Sequence, residues 1–397
     1  MFNTKAAKWL KGRKNIFERL QKAIPKDAKV IWMHCSSLGE FEQGRPVLEK
    51  LRSLYPDNKI LLTFFSPSGY EVKKDYDGVD WVFYLPMDGP RNARRFLEIT
   101  QPVLVIFVKY EFWYYYLKKI KHRNIPLLLI SALFLEDMYF FKWYGVLHRN
   151  MLSQFDHLFV QNESSKKMVA KIGMDSVCSV SGDTRFDRVI EIAENFEPIP
   201  LIEKFIGADK CIVAGSTWKE DEEVLSQLYF SEKKIKLIIA PHEITESHIN
   251  EIKKLLPTSI RFSELKTGTR QPLTGNVLVV DSFGLLSRLY KYATITYIGG
   301  ALKPSGVHNV LEAAVYGRPV LFGPYYKKYQ EAVELIEAGG GFSFPDINGL
   351  KEKMDQLLNN ENIYSKTCNA SEEYVASKKG ATQKIIQFIQ EKRLLTN

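Results

Sequence analysis

Cysteine is scarce in this 397-residue chain: there are four, Cys35, Cys178, Cys211 and Cys368, and they share no paired spacing. That excludes a disulfide framework and a cysteine-based zinc site, and it suits a reducing compartment. The seven histidines show no HExxH or similar cluster, so the sequence asks for no metal. Long apolar runs are missing as well. The longest, Val103–Val108, is one strand in length before Lys109 and Glu111 interrupt it, too short for a helical membrane span. The first residues lack the apolar centre of a signal peptide, and there are no low-complexity tracts or short-period repeats. These absences lead to the expectation of a cytoplasm-facing protein, either peripheral or anchored by a segment upstream of Met1.

Acidic residues are almost missing from the start of the chain. Residues 1–26 carry Lys5, Lys8, Lys11, Arg13, Lys14, Arg19, Lys22 and Lys26 against Glu18 alone, and the formal net charge of the whole is +9. This balance favours an acidic partner: a phosphorylated substrate, an anionic membrane or a nucleic acid. Ile16, Phe17, Leu20 and Ile24 recur at helical spacing, so 1–26 reads as a basic amphipathic helix. Two uses are open to it: lying on an anionic bilayer, or packing its apolar face on its own domain. Nucleic acid fits worst, because the basic residues form an amphipathic helix and not an aromatic-laced groove.

What is present is the composition of a soluble globular protein, with 45% apolar and 25% charged residues in a length that favours two domains. Strand-like runs alternate with helical ones. Lys29–His34, Lys59–Phe65, Val82–Tyr84, Val103–Val108, Pro126–Ser131, His157–Val160 and Val177–Ser181 read as strands, with helices at Phe41–Leu54 and Arg91–Ile99. A second series runs through Cys211–Ala214, Lys236–Ala240, Val277–Val280, Ile295–Ile298, Pro319–Phe322 and Gly341–Phe344. Such alternation means α/β architecture: parallel sheets with crossover helices. The prolines of Glu194–Pro200 mark a break. The predicted organisation is a basic helix (1–26), a first α/β domain (27–195), a linker (196–208), a second α/β domain (209–375) and a C-terminal helix (376–397) that packs back on the first. A cleft between two such domains is a natural ligand site.

The richest stretch follows the strand ending at Ile298: Gly299, Gly300 and Gly306, then His308, Asn309 and Glu312. Glycines let a backbone approach a ligand closely, a helix opened by His308 and Asn309 offers N–H groups to an anion, and Glu312 one turn later can accept from sugar hydroxyls. A phosphate beside a ribose fits this pattern; a structural strand–loop–helix unit with a solvated Glu is the alternative. Ser37, Gly39 and Glu40 follow the first strand, where ligands collect in open α/β sheets. Position leaves Glu40 two roles, general base toward a hydroxyl or helix-start acid complementing the dipole. Gly215, Ser216 and Thr217 can hold a phosphate or cap the acidic helix that follows. Arg185 suits a substrate carboxylate or phosphate, or a local cluster with Asp183 and Asp187. Glu111 with Trp113 suits sugar binding, although the aromatic run 112–116 suits core packing equally. His242, after strand 236–240, can meet the donor's phosphate or serve structure.

In order along the chain, these motifs resemble the lipopolysaccharide Kdo (3-deoxy-D-manno-octulosonic acid) transferase family. The resemblance runs over nearly the whole length: Phe2-Asn3 with Lys8-Trp9-Leu10 and Gly12-Arg13, His34 with Ser37-Leu38-Gly39-Glu40, Ser66–Gly69, Tyr84–Asp88, Glu111–Trp113, Gly215–Thr217, and Gly299-Gly300 with His308-Asn309 and Leu311-Glu312. It implies a GT-B fold of two Rossmann-like domains and metal-independent transfer of Kdo from CMP-Kdo to a lipid A precursor at the cytoplasmic face of the bacterial inner membrane. It also implies Glu40 as catalytic base, Glu312 on the donor's ribose, and Ser216, Thr217, His308 and Asn309 near phosphate and cytidine. Four segments depart from the family pattern and mark a divergent branch. Gly182-Asp183-Thr184-Arg185 stands for GN-x-K, Pro241-His242-Glu243 for PRH, Lys109–Tyr114 for E-x-E-L-W-P, and Ser131–Phe134 for N-A-R-L. A UDP-sugar transferase or epimerase of the same fold and a non-catalytic nucleotide-sugar-binding module are the competing readings.

Overall fold

The computed structural model describes residues 4–228, 235–267 and 275–395; residues 1–3, with the Phe2-Asn3 motif, and residues 396–397, the end of the segment predicted as a C-terminal helix, lie outside them. The chain divides into two units. The first runs to Arg188 and resumes at Lys378, and the second is Val189–Ser377.

In the first unit the strands are β1 (Val30–Cys35), β2 (Lys59–Phe64), β3 (Trp81–Tyr84), β4 (Pro102–Val108), β5 (Leu127–Ala132), β6 (His157–Val160) and β7 (Cys178–Val180). They form one sheet in the order β3-β2-β1-β4-β5-β6-β7. Every pairing is parallel. A parallel sheet is covered on both faces, and β1, β5 and β6 are accordingly buried at every position. Alternation then sorts the side chains. Val30, Trp32, Val105 and Phe107 face a core closed by Leu20, Phe96 and Tyr116. Ile31, Met33, Cys35, Ile106 and Val108 face the helices Leu38–Leu54 and Ala381–Glu391. The last helix therefore belongs to the first unit, through Ile385, Ile386 and Ile389.

The basic N-terminal segment is two helices, Thr4–Arg13 and Ile16–Ala23, and not one. Asn15 breaks them in the left-handed region (φ 51). The apolar stripe Ile16, Leu20 and Ile24 is buried in the sheet's core, so the domain itself occupies the face that a bilayer would need. Arg13 ties the first helix down by donating to the carbonyls of Leu85 and Phe65, each at 2.9 Å, while Lys5, Lys8, Lys11 and Lys14 remain exposed.

The second unit repeats the plan with β8 (Lys210–Thr217), β9 (Ile235–Pro241), β10 (Ile260–Arg261), β11 (Val277–Val279), β12 (Ile295–Ile298), β13 (Val320–Phe322) and β14 (Gly341–Ser343). Their order is β10-β11-β9-β8-β12-β13-β14, again all parallel. The stretch read as a linker is part of this unit. Pro200–Ile206 is a helix with Ile202 and Phe205 buried, and Pro200 stands at its first turn, where a missing N–H costs little. The division between units falls instead inside the helix Thr184–Glu194.

In each sheet the chain first fills one side of its first strand and then crosses to the other side. The reversals lie between β1 and β4 and between β8 and β12. Crevices outside the carboxyl ends of strands at such reversals are where open α/β sheets bind ligands.

Candidate active site

At the first reversal, β1 runs into Ser36 and Ser37, and Ser37 caps the helix Leu38–Leu54. Glu40 is the third residue of that helix, and its carboxylate reaches back in a capping box. Oε2 accepts from the backbone N–H of Ser37 at 3.2 Å and from that of Ser36. Oε1 has no hydrogen-bond partner among the described residues. Capping thus engages one oxygen of Glu40 and leaves the other available. Burial, followed by repulsion from Glu111, pushes the carboxyl up to about 7, against the lowering effect of the two N–H groups and Lys109. Gly39 beside it faces open space, with nothing within 4 Å of where a Cβ would stand.

Glu111, after β4, is 5% exposed, which differs from an open sugar-binding acid. Its Oε2 lies 2.9 Å from His34 Nε2 and accepts from Trp113 Nε1 at 2.5 Å. His34, wholly buried on β1, is held from its other side by Thr63 Oγ1 at 2.8 Å. Glu111 therefore acts on Glu40 electrostatically from a fixed, buried position. Arg185 also departs from the expected substrate-binding cation. Its Nε and Nη2 donate to Asp183 Oδ2 at 2.9 and 2.6 Å, the local cluster that its neighbours allowed.

At the second reversal the glycines serve the protein's own chain. A Cβ on Gly299 would stand 2.4 Å from Ser216 O, and one on Gly215 would stand 1.9 Å from the Tyr290 hydroxyl. Gly300 has φ +90, and its N–H donates to Asp221 Oδ2 at 2.9 Å. Close approach is the right physics, and the partners it meets here are the Ser216 backbone and the Tyr290 and Asp221 side chains. Thr217 is likewise spent: buried, its hydroxyl donates to Glu222 at 2.9 Å. The helix Lys219–Ser226 is capped at Trp218, not at Ser216 or Thr217. Ser216 keeps its hydroxyl unpaired among the described residues, on a backbone at φ 53.

The expected helix at His308 begins only at Leu311 and is four residues long. Asn309 prepares it: its Oδ1 accepts from Leu311 N at 3.2 Å, and its Nδ2 donates to Glu312 Oε1 at 2.9 Å. Glu312 is half-buried, near the phenols of Tyr290 and Tyr316, whose ionisation it opposes. His242 stacks on His308 with ring centres 4.5 Å apart, and Trp218 stacks on His242 at 4.6 Å. Trp218, Asp221, Lys109 and His34 are absent from the candidate list drawn from the sequence. Lys109 shares with Ser131 and Ser216 a visible signature, a non-glycine residue in the left-handed region at a strand's carboxyl end, and that signature exists only in three dimensions.

Residues 14–188 match a family model described as 3-Deoxy-D-manno-octulosonic-acid transferase (kdotransferase). The 3-deoxy-D-manno-octulosonic acid transferase of Aquifex aeolicus (strain VF5) is 30% identical over 353 residues, spanning 86% of this chain and 91% of that protein. The protein of the same name from Haemophilus influenzae (strain ATCC 51907 / DSM 11121 / KW20 / Rd) is 26% identical over 371 residues, 90% of this chain and 86% of its own. Among solved structures, UDP-GlcNAc 2-epimerase from Neisseria meningitidis bound to UDP-GlcNAc superposes with a TM-score of 0.64 at 18% identity, covering 91% of this chain and 100% of that one. That likeness is one of fold alone: two Rossmann-like units, the GT-B class. With a relative matched over nearly its full length and a family model matched on the first unit, the chain belongs to the 3-deoxy-D-manno-octulosonic acid transferase family and is a glycosyltransferase.

Proposed function

We propose that the protein moves a Kdo residue from CMP-Kdo to a lipid A precursor, in lipopolysaccharide synthesis, with inversion at the anomeric carbon and Glu40 as general base. The observation that carries this reading is the Glu40 carboxylate, held by one oxygen, open at the other, and poised at about 7. A base with that value is half-ionised at neutral pH, near the optimum for taking a proton from a hydroxyl. Oε1 removes the proton of the acceptor's primary hydroxyl as that oxygen bonds to the anomeric carbon. The bond from that carbon to the phosphate of CMP breaks, and CMP leaves with the electron pair. On this reading the second unit holds the donor through Ser216, His242, His308 and Asn309, with Glu312 on the ribose. Gly215, Thr217 and Gly300 shape the site from behind, and Ser37 and Gly39 border the acceptor.

The reaction as proposed uses no metal, so excess EDTA should leave turnover unchanged. The acceptor's location asks for an anionic membrane surface. The exposed lysines of Thr4–Arg13 supply charge, and the loop after β5 supplies aromatics: Tyr139, Trp143 and Tyr144 are exposed, Trp143 at 89%. No helix among the described residues is long and apolar enough to cross a membrane.

The test is mass spectrometry of a lipid A precursor incubated with the protein and fresh CMP-Kdo, beside Glu40→Gln. A Kdo mass increment that the variant fails to produce supports the reading, and the number of increments counts the sugars added. Full activity in Glu40→Gln overturns the assignment of the base. Competition by UDP but not CMP overturns the donor and returns the UDP-sugar reading.

A further inference from the structure

The ring nitrogens of His308 are not equivalent. Trp218 Nε1 lies 3.0 Å from His308 Nε2. An indole N–H can only donate, so Nε2 must be the acceptor and carry no proton. We infer that Trp218 is a positioning residue of the donor site: it locks His308 as a neutral imidazole with its proton on Nδ1, so that His308 meets the donor as a hydrogen-bond donor and not as a cation. The identity of the ligand here rests on the CMP-Kdo reading; the tautomer does not.

The surroundings hold the lock in place. The Trp218 backbone N–H donates to Asp221 Oδ2 at 2.9 Å, and the same oxygen accepts from Gly300 N at 2.9 Å. The other oxygen accepts from the Tyr297 hydroxyl at 2.7 Å. One buried carboxylate thus fixes Trp218 to the end of β12, and its own charge is fully engaged. From the end of β9, His242 stacks on both rings, with interplanar angles of 27° and 23°. Lys303 stands 5.7 Å over the Trp218 ring, with its ammonium paired to Glu220 at 2.7 Å. A Cβ on Gly300 would lie 2.8 Å from His308 Cδ2, so the imidazole is pressed against backbone.

The groups facing His308 are therefore an indole, a second imidazole and a glycine, with Lys303 beyond the indole and Glu243 next to His242. None is a carboxylate paired with His308, and no group among the described residues favours a positive charge there. Burial and then the neighbouring His242 lower His308 to about 4, while burial also lowers His242. His308 Nδ1–H has no acceptor among the described residues, and it is the donor left for a ligand oxygen. Trp218 follows Thr217 in a position that reads from sequence only as the start of an acidic helix.

The direct test is the nitrogen NMR spectrum of the full chain labelled at histidine, recorded without ligand at pH 7, with His308→Asn identifying the signal. The expected signal is that of a neutral ring protonated at Nδ1, and Trp218→Phe should return it to the ordinary tautomer, protonated at Nε2. A wild-type His308 protonated at Nε2, or at both nitrogens, overturns the inference, and so does a tautomer unchanged in Trp218→Phe. CMP affinity gives a second readout. Trp218→Phe should weaken CMP binding several-fold at pH 7, because the proton moves from Nδ1 to Nε2 and the ligand oxygen loses its donor. Unchanged affinity overturns the inference. In turnover the variant should raise the donor KM and leave the acid limb of kcat in place, whereas a merely structural loss would lower kcat at every pH. Failure of the wild type to bind CMP would sink the donor reading, and the NMR result would still decide the tautomer.

Discussion

A single carboxylate can be tuned only by what touches it, and Glu40 is touched from two directions. Burial and Glu111 raise its value, and two backbone N–H groups lower it. The base form is the ionised one, so turnover should climb as pH rises through about 7 and level off above it. Glu40→Gln removes that limb together with a factor on the order of 10² to 10⁴ in kcat, while CMP affinity stays within error. Glu111→Gln is the sharper probe, because it keeps the shape and the contacts to His34 and Trp113 but deletes the charge. Glu40 then loses its second-largest upward push, and the acid limb of the pH–rate profile should move to lower pH. It stops short of an ordinary glutamate because burial remains. An unmoved limb would show that Glu111 does not act on Glu40. Residue type and order along the chain pointed to Glu40 and His308. They could not reveal that Glu111 is buried or that Thr217 is spent on Glu222, and they left Arg185 between a substrate and Asp183, since burial and the choice among candidate partners are decided by the fold.

Elements were more legible than contacts, because alternation of apolar runs with helical spacing is a property of short windows. Apart from β8, which continues three residues past its run, the strands lie within a residue or two of the runs that predicted them, and β10, two residues long, left no run to read. The N-terminal segment shows where the method stops. Its stripe of Ile16, Leu20 and Ile24 is real, but a stripe does not say what it faces, and here it faces Trp32 and Phe96 in the core. Leu20→Ala should therefore cost about 2–5 kcal/mol in urea unfolding, the range for a buried leucine. A loss under about 0.5 kcal/mol would return the stripe to the membrane. The loop after β5 predicts the opposite pattern. Arg149 pins it by donating to the carbonyls of Phe140 and Lys142 at 3.0 and 2.8 Å, which leaves Trp143 outward. Trp143→Ala should change stability by no more than about 0.5 kcal/mol yet reduce binding to anionic vesicles several-fold. Unchanged vesicle binding would remove this loop from the proposed membrane surface.

At the scale of the whole molecule, the chain closes its first unit with its last helix. Residues up to Arg188 make the sheet, and Ala381–Glu391 returns to cover one of its faces after the second unit is complete. Ile385, Ile386 and Ile389 are buried against Ile31, Met33 and Phe159 in that face. At about 1.5–3 kcal/mol for each buried isoleucine, their loss is worth roughly 5–9 kcal/mol, comparable to the 5–15 kcal/mol that holds a whole domain together. Asp187 adds to this, accepting from the N–H groups of Gly380 and Thr382 at 2.6 Å each and so fastening the helix to the point where the chain leaves the first unit. A chain ending at Ser377 should therefore fail to fold its first unit while Val189–Ser377, continuous in sequence, keeps its own cooperative transition. Calorimetry should show one transition lost and one retained, and CMP binding, proposed for the second unit, should survive with the latter. Retention of both transitions would mean that the final helix is an addition to the first unit and not part of its core; loss of both would mean that the second unit depends on the first for its stability.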